Sequence, residues 1–233
     1  MSRSLIFRSS LLAVALGLAS AAQATLLIGF NSDFNVGTDT TPQNSAAGFS
    51  GSLSDIAVVG STGTTSDQRY GNSSYSTSGE SPTNYRVEIG TNPIVFSVTN
   101  SSGSSYALES LLFDAIENGP TTTATYTLSY KLNGGSSVSL GQYTATGMPP
   151  SDTGYFDYAV NLASLGLSLA NGSTIQFYFA GSQNSGANPR LDNIGLSGTL
   201  TPIPEPATAL GLGLLLGSPV FLRVRRRKPA RTA

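Results

Sequence analysis

The sequence predicts an all-β body, an antiparallel β-sandwich, on three observations. Segments in which apolar residues alternate with polar ones recur between residues 25 and 200. Clusters of Gly, Asn, Ser and Pro separate these segments and read as turns. No stretch of this body has the apolar spacing of an amphipathic helix. Alternation leaves one polar face per sheet, so two sheets packed face to face is the burial solution. Among such arrangements the jelly roll fits the strand number best. No internal repeat of fixed period is present, which argues against a solenoid or propeller.

The elements follow in order. Leu26–Phe30, Leu53–Val59, Tyr85–Ile89, Ile94–Val98 and Leu108–Ile116 read as strands. Thr125–Leu132 is the clearest, with Tyr126, Leu128, Tyr130 and Leu132 on one face and Thr125, Thr127, Ser129 and Lys131 on the other. Asn133-Gly134-Gly135 then permits the positive φ of a tight hairpin, and Val138 and Leu140 continue on the return strand. Phe156, Tyr158, Val160 and Leu162 mark another apolar face, as do Ile175, Phe177 and Phe179; Ile194–Leu200 closes the series of nine or ten strands. Residues 61–81 differ: eleven are Ser or Thr and none is a large aliphatic, so a long surface loop is expected, with Tyr70 and Tyr75 exposed on it.

Composition removes several function classes. The chain has 233 residues, no Cys, no His and no Trp. No disulfide, His- or Cys-ligated zinc site, Ser-His-Asp triad or Cys-His pair is available. Charge is segregated. Residues 1–24 carry Arg3 and Arg8 and no acid, and residues 223–233 carry six basic residues and no acid. The stretch between holds four basic residues, Arg69, Arg86, Lys131 and Arg190, against all 13 acids, a balance of −9. Such a body is not expected to bind nucleic acid, which needs clustered Lys and Arg.

Both ends read as export signals. Arg3 and Arg8, a short apolar run and then Ala22-Gln23-Ala24 match a signal peptide, residues 1–24, which a signal peptidase would cut after Ala24. At the other end, residues 201–206 form a Pro-rich linker containing Pro204-Glu205-Pro206 and cannot be helical. Residues 207–222 carry no charge and predict a transmembrane helix. At ~1.5 Å per residue its 16 residues span roughly 24 Å, short for a hydrocarbon core of about 30 Å. Arg223, Arg225, Arg226, Arg227 and Lys228 follow at once, a stop that keeps residues 223–233 cytoplasmic and the body outside. The domains expected are thus the signal peptide 1–24, the sandwich 25–200, the linker 201–206, the span 207–222 and the basic tail 223–233.

The order Pro204-Glu205-Pro206, Gly/Leu-rich span, Arg-rich end resembles the PEP-CTERM sorting signal of Gram-negative bacteria. The resemblance covers about residues 202–228 together with the signal peptide. It implies recognition and cleavage of the tail by an exosortase, a membrane protease. The protein would be held transiently in the inner membrane, then passed to the cell surface or the exopolysaccharide matrix. Pro219 within the span departs from the pattern.

Arg190-Leu-Asp-Asn-Ile-Gly-Leu-Ser-Gly198 resembles the last strand of jelly-roll domains, carbohydrate-binding ones included. In some of those modules an Asp of this strand helps hold a structural calcium ion. Strand parity places Asp192 on the same face as Ile194 and Leu196, where a carboxylate must be paired or ligated. Pairing with Arg190 or with backbone N–H groups is the plain alternative. The sharper reading is a Ca²⁺ site of Asp192 with Asn31 or Asp33 and backbone carbonyls, and no other cofactor is expected.

Glu80, Glu88, Glu109, Asp114, Glu117, Asp152 and Asp157 show no spacing that selects a catalytic pair, so no enzymatic activity is expected. The function expected is that of an exported, structural or adhesive protein of the envelope or extracellular matrix. A carbohydrate-binding module of the exopolysaccharide matrix is the alternative, and a secreted glycoside hydrolase ranks third.

Overall fold

The computed structural model describes residues 23–31, 41–60, 69–71, 73–75, 85–116, 123–146, 155–183 and 189–201. The signal peptide up to Ala22, Asp33, the Pro-Glu-Pro motif, the apolar span and the basic tail lie outside the described residues. Among the described residues no helix is long and apolar enough to cross a membrane.

Thirteen strands are present among these residues: β1 Thr25–Phe30, β2 Asn44–Ser45, β3 Phe49–Ser54, β4 Ala57–Gly60, β5 Tyr85–Glu88, β6 Ile94–Asn100, β7 Tyr106–Ile116, β8 Thr123–Leu132, β9 Val138–Thr146, β10 Phe156–Asn161, β11 Ser168–Leu169, β12 Thr174–Gln183 and β13 Arg190–Leu200. One 3₁₀ turn, Ala163–Leu165, joins β10 to β11. They form two sheets. The eight-stranded sheet runs β10-β7-β13-β1-β2, with β11 on β7, β5 on β13 and β4 on β5; the five-stranded sheet runs β3-β6-β12-β8-β9. Every strand pair is antiparallel.

The alternation seen in the sequence is what packs the sheets. Tyr126, Leu128 and Tyr130 of β8, Ile94, Phe96 and Val98 of β6, and Ile175, Phe177 and Phe179 of β12 all face the core. Leu27, Ile28 and Phe30, Leu111, Phe113 and Ala115, and Leu191, Ile194 and Leu196 answer from the eight-stranded sheet. Rings interlock across the gap edge to face: Phe30 with Phe96 at 5.6 Å and Phe113 with Phe179 at 5.4 Å between centroids. The open side between edge strands β9 and β10 is closed by Tyr143 and Tyr158, 5.4 Å apart, with the Tyr158 hydroxyl donating to Thr144 O at 2.8 Å.

One strand expectation needs correction. Leu53–Val59 is not one strand. Asp55 has φ +59°, and the left-handed residue turns the chain from β3 in one sheet to β4 in the other. Val138 and Leu140 lie on the return strand β9, an edge strand that Val138 begins at 42% exposure.

The end of the sandwich that holds β1's start and β13's finish is built of short turns tied together. Buried Asn100 is their hub. Its Nδ2 donates to Ser104 O at 2.8 Å and Leu169 O at 2.7 Å, and its Oδ1 accepts from Ser102 N at 3.0 Å. Thr201 N donates to Ser105 O at 2.9 Å just past the last strand.

Candidate functional site

Two polar features stand out. The first lies on the outer face of the eight-stranded sheet, where β7, β13 and β1 meet. Asp114 stands between core residues Phe113 and Ala115, so its own side chain points outward. In register it faces Asp192 on β13 and Asp157 on β10. Asp114 and Asp192 are buried, whereas Asp157 is exposed.

Parity placed Asp192 with Ile194 and Leu196 on the apolar face, and the structure corrects this. A register shift separates Asp192 from Gly195, and Asn193 within it has φ +44°. The extra residue of this bulge lets Leu191 and Ile194 both face the core, which turns Asp192 to the opposite side. Asn193 Nδ2 then donates to Asp114 Oδ2 at 2.8 Å, and Asn193 N to Asp192 Oδ1 at 2.9 Å. Arg190 makes an ion pair with Glu88, Nε to Oε2 at 3.4 Å, rather than standing over the cluster as its sole counter-charge.

The Ser/Thr-rich stretch supplies the cover. Gly71 N donates to Asp114 Oδ1 at 2.8 Å. Gly71 has φ +50° and lies so close to Tyr158 O that a Cβ would sit 2.2 Å from it, so only glycine fits. Tyr70, expected to be exposed, is wholly buried. Its ring fills a trough left by two residues without Cβ: a Cβ on Gly29 would come within 2.5 Å of the ring and one on Gly195 within 3.1 Å. Asn44 Nδ2 donates to its hydroxyl at 2.7 Å. Tyr75 is half-buried; burial pushes its phenol above the ordinary 10.0, against a hydrogen bond from Ser197. The outer face of this sheet is therefore covered where the sequence implied solvent.

Of the residues proposed for calcium, Asn31 and Asp192 are both buried. Phe30 pairs with Ile194, so Asn31 lies beside the bulge, and Asn31 N donates to Gln43 Oε1 at 2.9 Å. Asp33 lies outside the described residues. The donors suit a hard cation in kind, since carboxylate and amide oxygens are what Ca²⁺ takes. Among the described residues no group of three acidic side chains forms a cation site by itself. The N–H donors on Asp114 and Asp192 supply the plain alternative.

The second feature is the outer face of the five-stranded sheet, lined by the Ser, Thr and Gln side chains that alternate with the core. Tyr178 stands among them, paired in register with Ser129 and Val95. Lys131 Nζ stands 4.9 Å from its ring centroid, and its hydroxyl donates to Gln176 Oε1 at 3.1 Å. None of the nine tyrosines whose side chains are described is exposed, so no row of open rings forms among them. Tyr178 escaped sequence reasoning because it stands between Phe177 and Phe179, and three consecutive aromatics hide the alternation. Of the sequence-predicted processing residues only Ala24 is described, one position before β1; Ala22 and the motif Pro204, Glu205 and Pro206 are not.

No family model matches this chain, and no curated protein does. Similar solved structures include an exo-β-1,3-galactanase from Phanerochaete chrysosporium with galactose, 15% identical with a TM-score of 0.35 over 76% of this chain and 30% of that one. Another is TmCBM61 in complex with β-1,4-galactotriose, 14% identical with a TM-score of 0.32 over 64% of this chain and 88% of that one. The chain thus spans under a third of the galactanase's length.

Proposed function

We propose that this is an exported protein of the bacterial envelope or extracellular matrix whose β-sandwich is released from both of its terminal signals. One observation carries the reading. The first strand and the last pair with each other, Thr25 opposite Gly198, and both predicted cuts fall just outside that pair. Removal of residues 1–24 leaves β1 intact. Cleavage near Pro204-Glu205-Pro206 lies beyond Thr201, the last described residue, whose N–H bonds to Ser105 O. A signal peptidase and an exosortase-like protease then cut outside the bounds of the two paired strands, Thr25–Phe30 and Arg190–Leu200. The released sandwich acts as a structural or adhesive component rather than as an enzyme. Asp114 and Asp192 lie in register but are buried and bonded to N–H groups, which suits a structural pair better than a hydrolytic one. Replacing Pro204, Glu205 and Pro206 together with alanine tests the sorting step. The altered chain should stay in the inner membrane at full length, and normal release of that variant would refute the motif's role.

A second reading, binding of matrix polysaccharide, is favoured by the Tyr178 surface. The Tyr178 ring, with the Lys131 ammonium over it and Gln176 and Ser129 beside it, offers an aromatic surface and several hydrogen-bonding groups for a sugar. In this reading Tyr178→Ala abolishes retention on the polysaccharide of the host matrix. Equal retention of both proteins would remove this surface from consideration. A structural Ca²⁺ at Asp192 and Asn31, completed by Asp33 or carbonyl oxygens, would stiffen the junction of β1 and β13 in either reading.

A further inference from the structure

We infer that the anchored sandwich stands upright on the bilayer, with its short-turn end forming the lipid-facing surface. This rests on the membrane-held intermediate proposed above and adds an orientation to it. The first observation is where the chain leaves. β1 starts and β13 finishes at the same end, because Thr25 pairs with Gly198 and Leu200 with Tyr106. The signal peptide before cleavage and the C-terminal span after it therefore both depart from that end.

The second observation is its chemistry. The turns there are Ala46-Ala-Gly48, Ser101-Ser-Gly-Ser-Ser105, Asn133-Gly-Gly-Ser-Ser137 and Ala170-Asn-Gly-Ser173, without one charge. The exposed large aliphatics found among the described residues gather in the same half: Val138 begins β9, Leu165 is in the turn beside the first residues of β7, and Leu200 ends β13. Of the described charges, Glu109 and Lys131 lie toward this end and cancel, whereas Asp55, Glu88, Asp157, Arg190 and the buried Asp114 and Asp192 lie toward the other, where acids outnumber bases. A surface of small neutral turns and scattered aliphatics enters a headgroup layer without stripping water from ions, whereas the acidic end would be repelled by anionic lipid.

The third observation is reach. The six residues 201–206 can reach at most about 20 Å, at ~3.3 Å per residue for a fully extended chain. β7, 11 residues long, measures about 35 Å at ~3.3 Å per residue. The linker's reach is less than the body's height. It holds the short-turn end at the membrane and the more acidic end away from it. The occupant of this surface is thus the bilayer that already receives the apolar tail.

The chain has no cysteine, so single cysteines report position cleanly. Full-length protein carrying a fluorophore at Ser136 or Leu165, or at Thr91 or Ser182, is reconstituted with phosphatidylethanolamine–phosphatidylglycerol vesicles containing a headgroup-attached nitroxide quencher. All four positions are exposed, so labelling leaves the core intact. The expected result is quenching several-fold stronger at Ser136 and Leu165 than at Thr91 and Ser182. Vesicle-bound protein with equal quenching at both ends, or stronger quenching at Thr91, overturns the orientation while leaving the anchor standing. Failure of the full chain to float with vesicles overturns the anchor and the orientation together.

Discussion

Asn193 and Asp114 stand 79 positions apart in sequence and meet through one hydrogen bond, Nδ2 to Oδ2 at 2.8 Å, on the outer face of the larger sheet. The other oxygen of the same carboxylate accepts from Gly71 N. Asp114 therefore ties the bulge of β13 and the Ser/Thr-rich cover to β7. Asp114→Ala removes an acceptor from two N–H donors in a buried place, which costs about 2–4 kcal/mol and lowers the melting temperature by roughly 5–15 °C. A melting temperature unchanged by this substitution would show that the cluster is not what holds the cover down.

Gly29 and Tyr70 form the second tie. Gly29→Ala places a methyl 2.5 Å from the Tyr70 ring, so the ring must leave its trough or the strands must part. The expected cost is about 1–3 kcal/mol, in the range of overpacked cores. In a Tyr70→Ala background the three atoms nearest that methyl are gone, and the substitution costs less. A double-mutant cycle by urea denaturation measures the difference, and additive effects of the two changes would contradict the packing described.

Alkaline stability follows from Tyr143 and Tyr158. Burial pushes both phenols above the ordinary 10.0. Above that value the unfolded chain releases protons that the folded one still holds, so the stabilisation is whole below pH 10 and is lost as pH rises past it. Replacing both by Phe should flatten the alkaline loss while removing the Tyr158–Thr144 bond, and an unaltered alkaline slope in the double variant would refute this assignment.

Calcium is tested by removal. With Ca²⁺ held at Asp192 and Asn31, chelation by EDTA lowers the melting temperature, added Ca²⁺ restores it, and Asp192→Asn abolishes the response. Identical melting with and without EDTA would leave the N–H donors as the whole account of the buried carboxylates.

What the sequence disclosed and what it withheld divide along a physical line. Tyr126, Leu128 and Tyr130 were legible because burial of one face imposes period 2, and the hairpin after Leu132 because Asn133 and Gly134 tolerate the φ values of +50° and +70° found there. The face of Asp192 was not legible. One extra residue at positive φ inverts parity, and nothing in Asp-Asn-Ile announces it. Tyr70 was misplaced because its site is made by the absence of side chains at Gly29 and Gly195, far from it in sequence. The split at Asp55 has the same character, a single left-handed residue that redirects a strand. Local alternation carries the strands, while the cluster depends on bulges and on contacts across the sheet.

The intact mass of the protein recovered outside its host cell tests the central claim most directly. The account predicts a species that begins at Thr25 and has lost the arginine-rich segment from Arg223 to Ala233 along with the apolar run, its new C-terminus near Pro204-Glu205-Pro206. An extracellular species that still ends at Ala233 would contradict it.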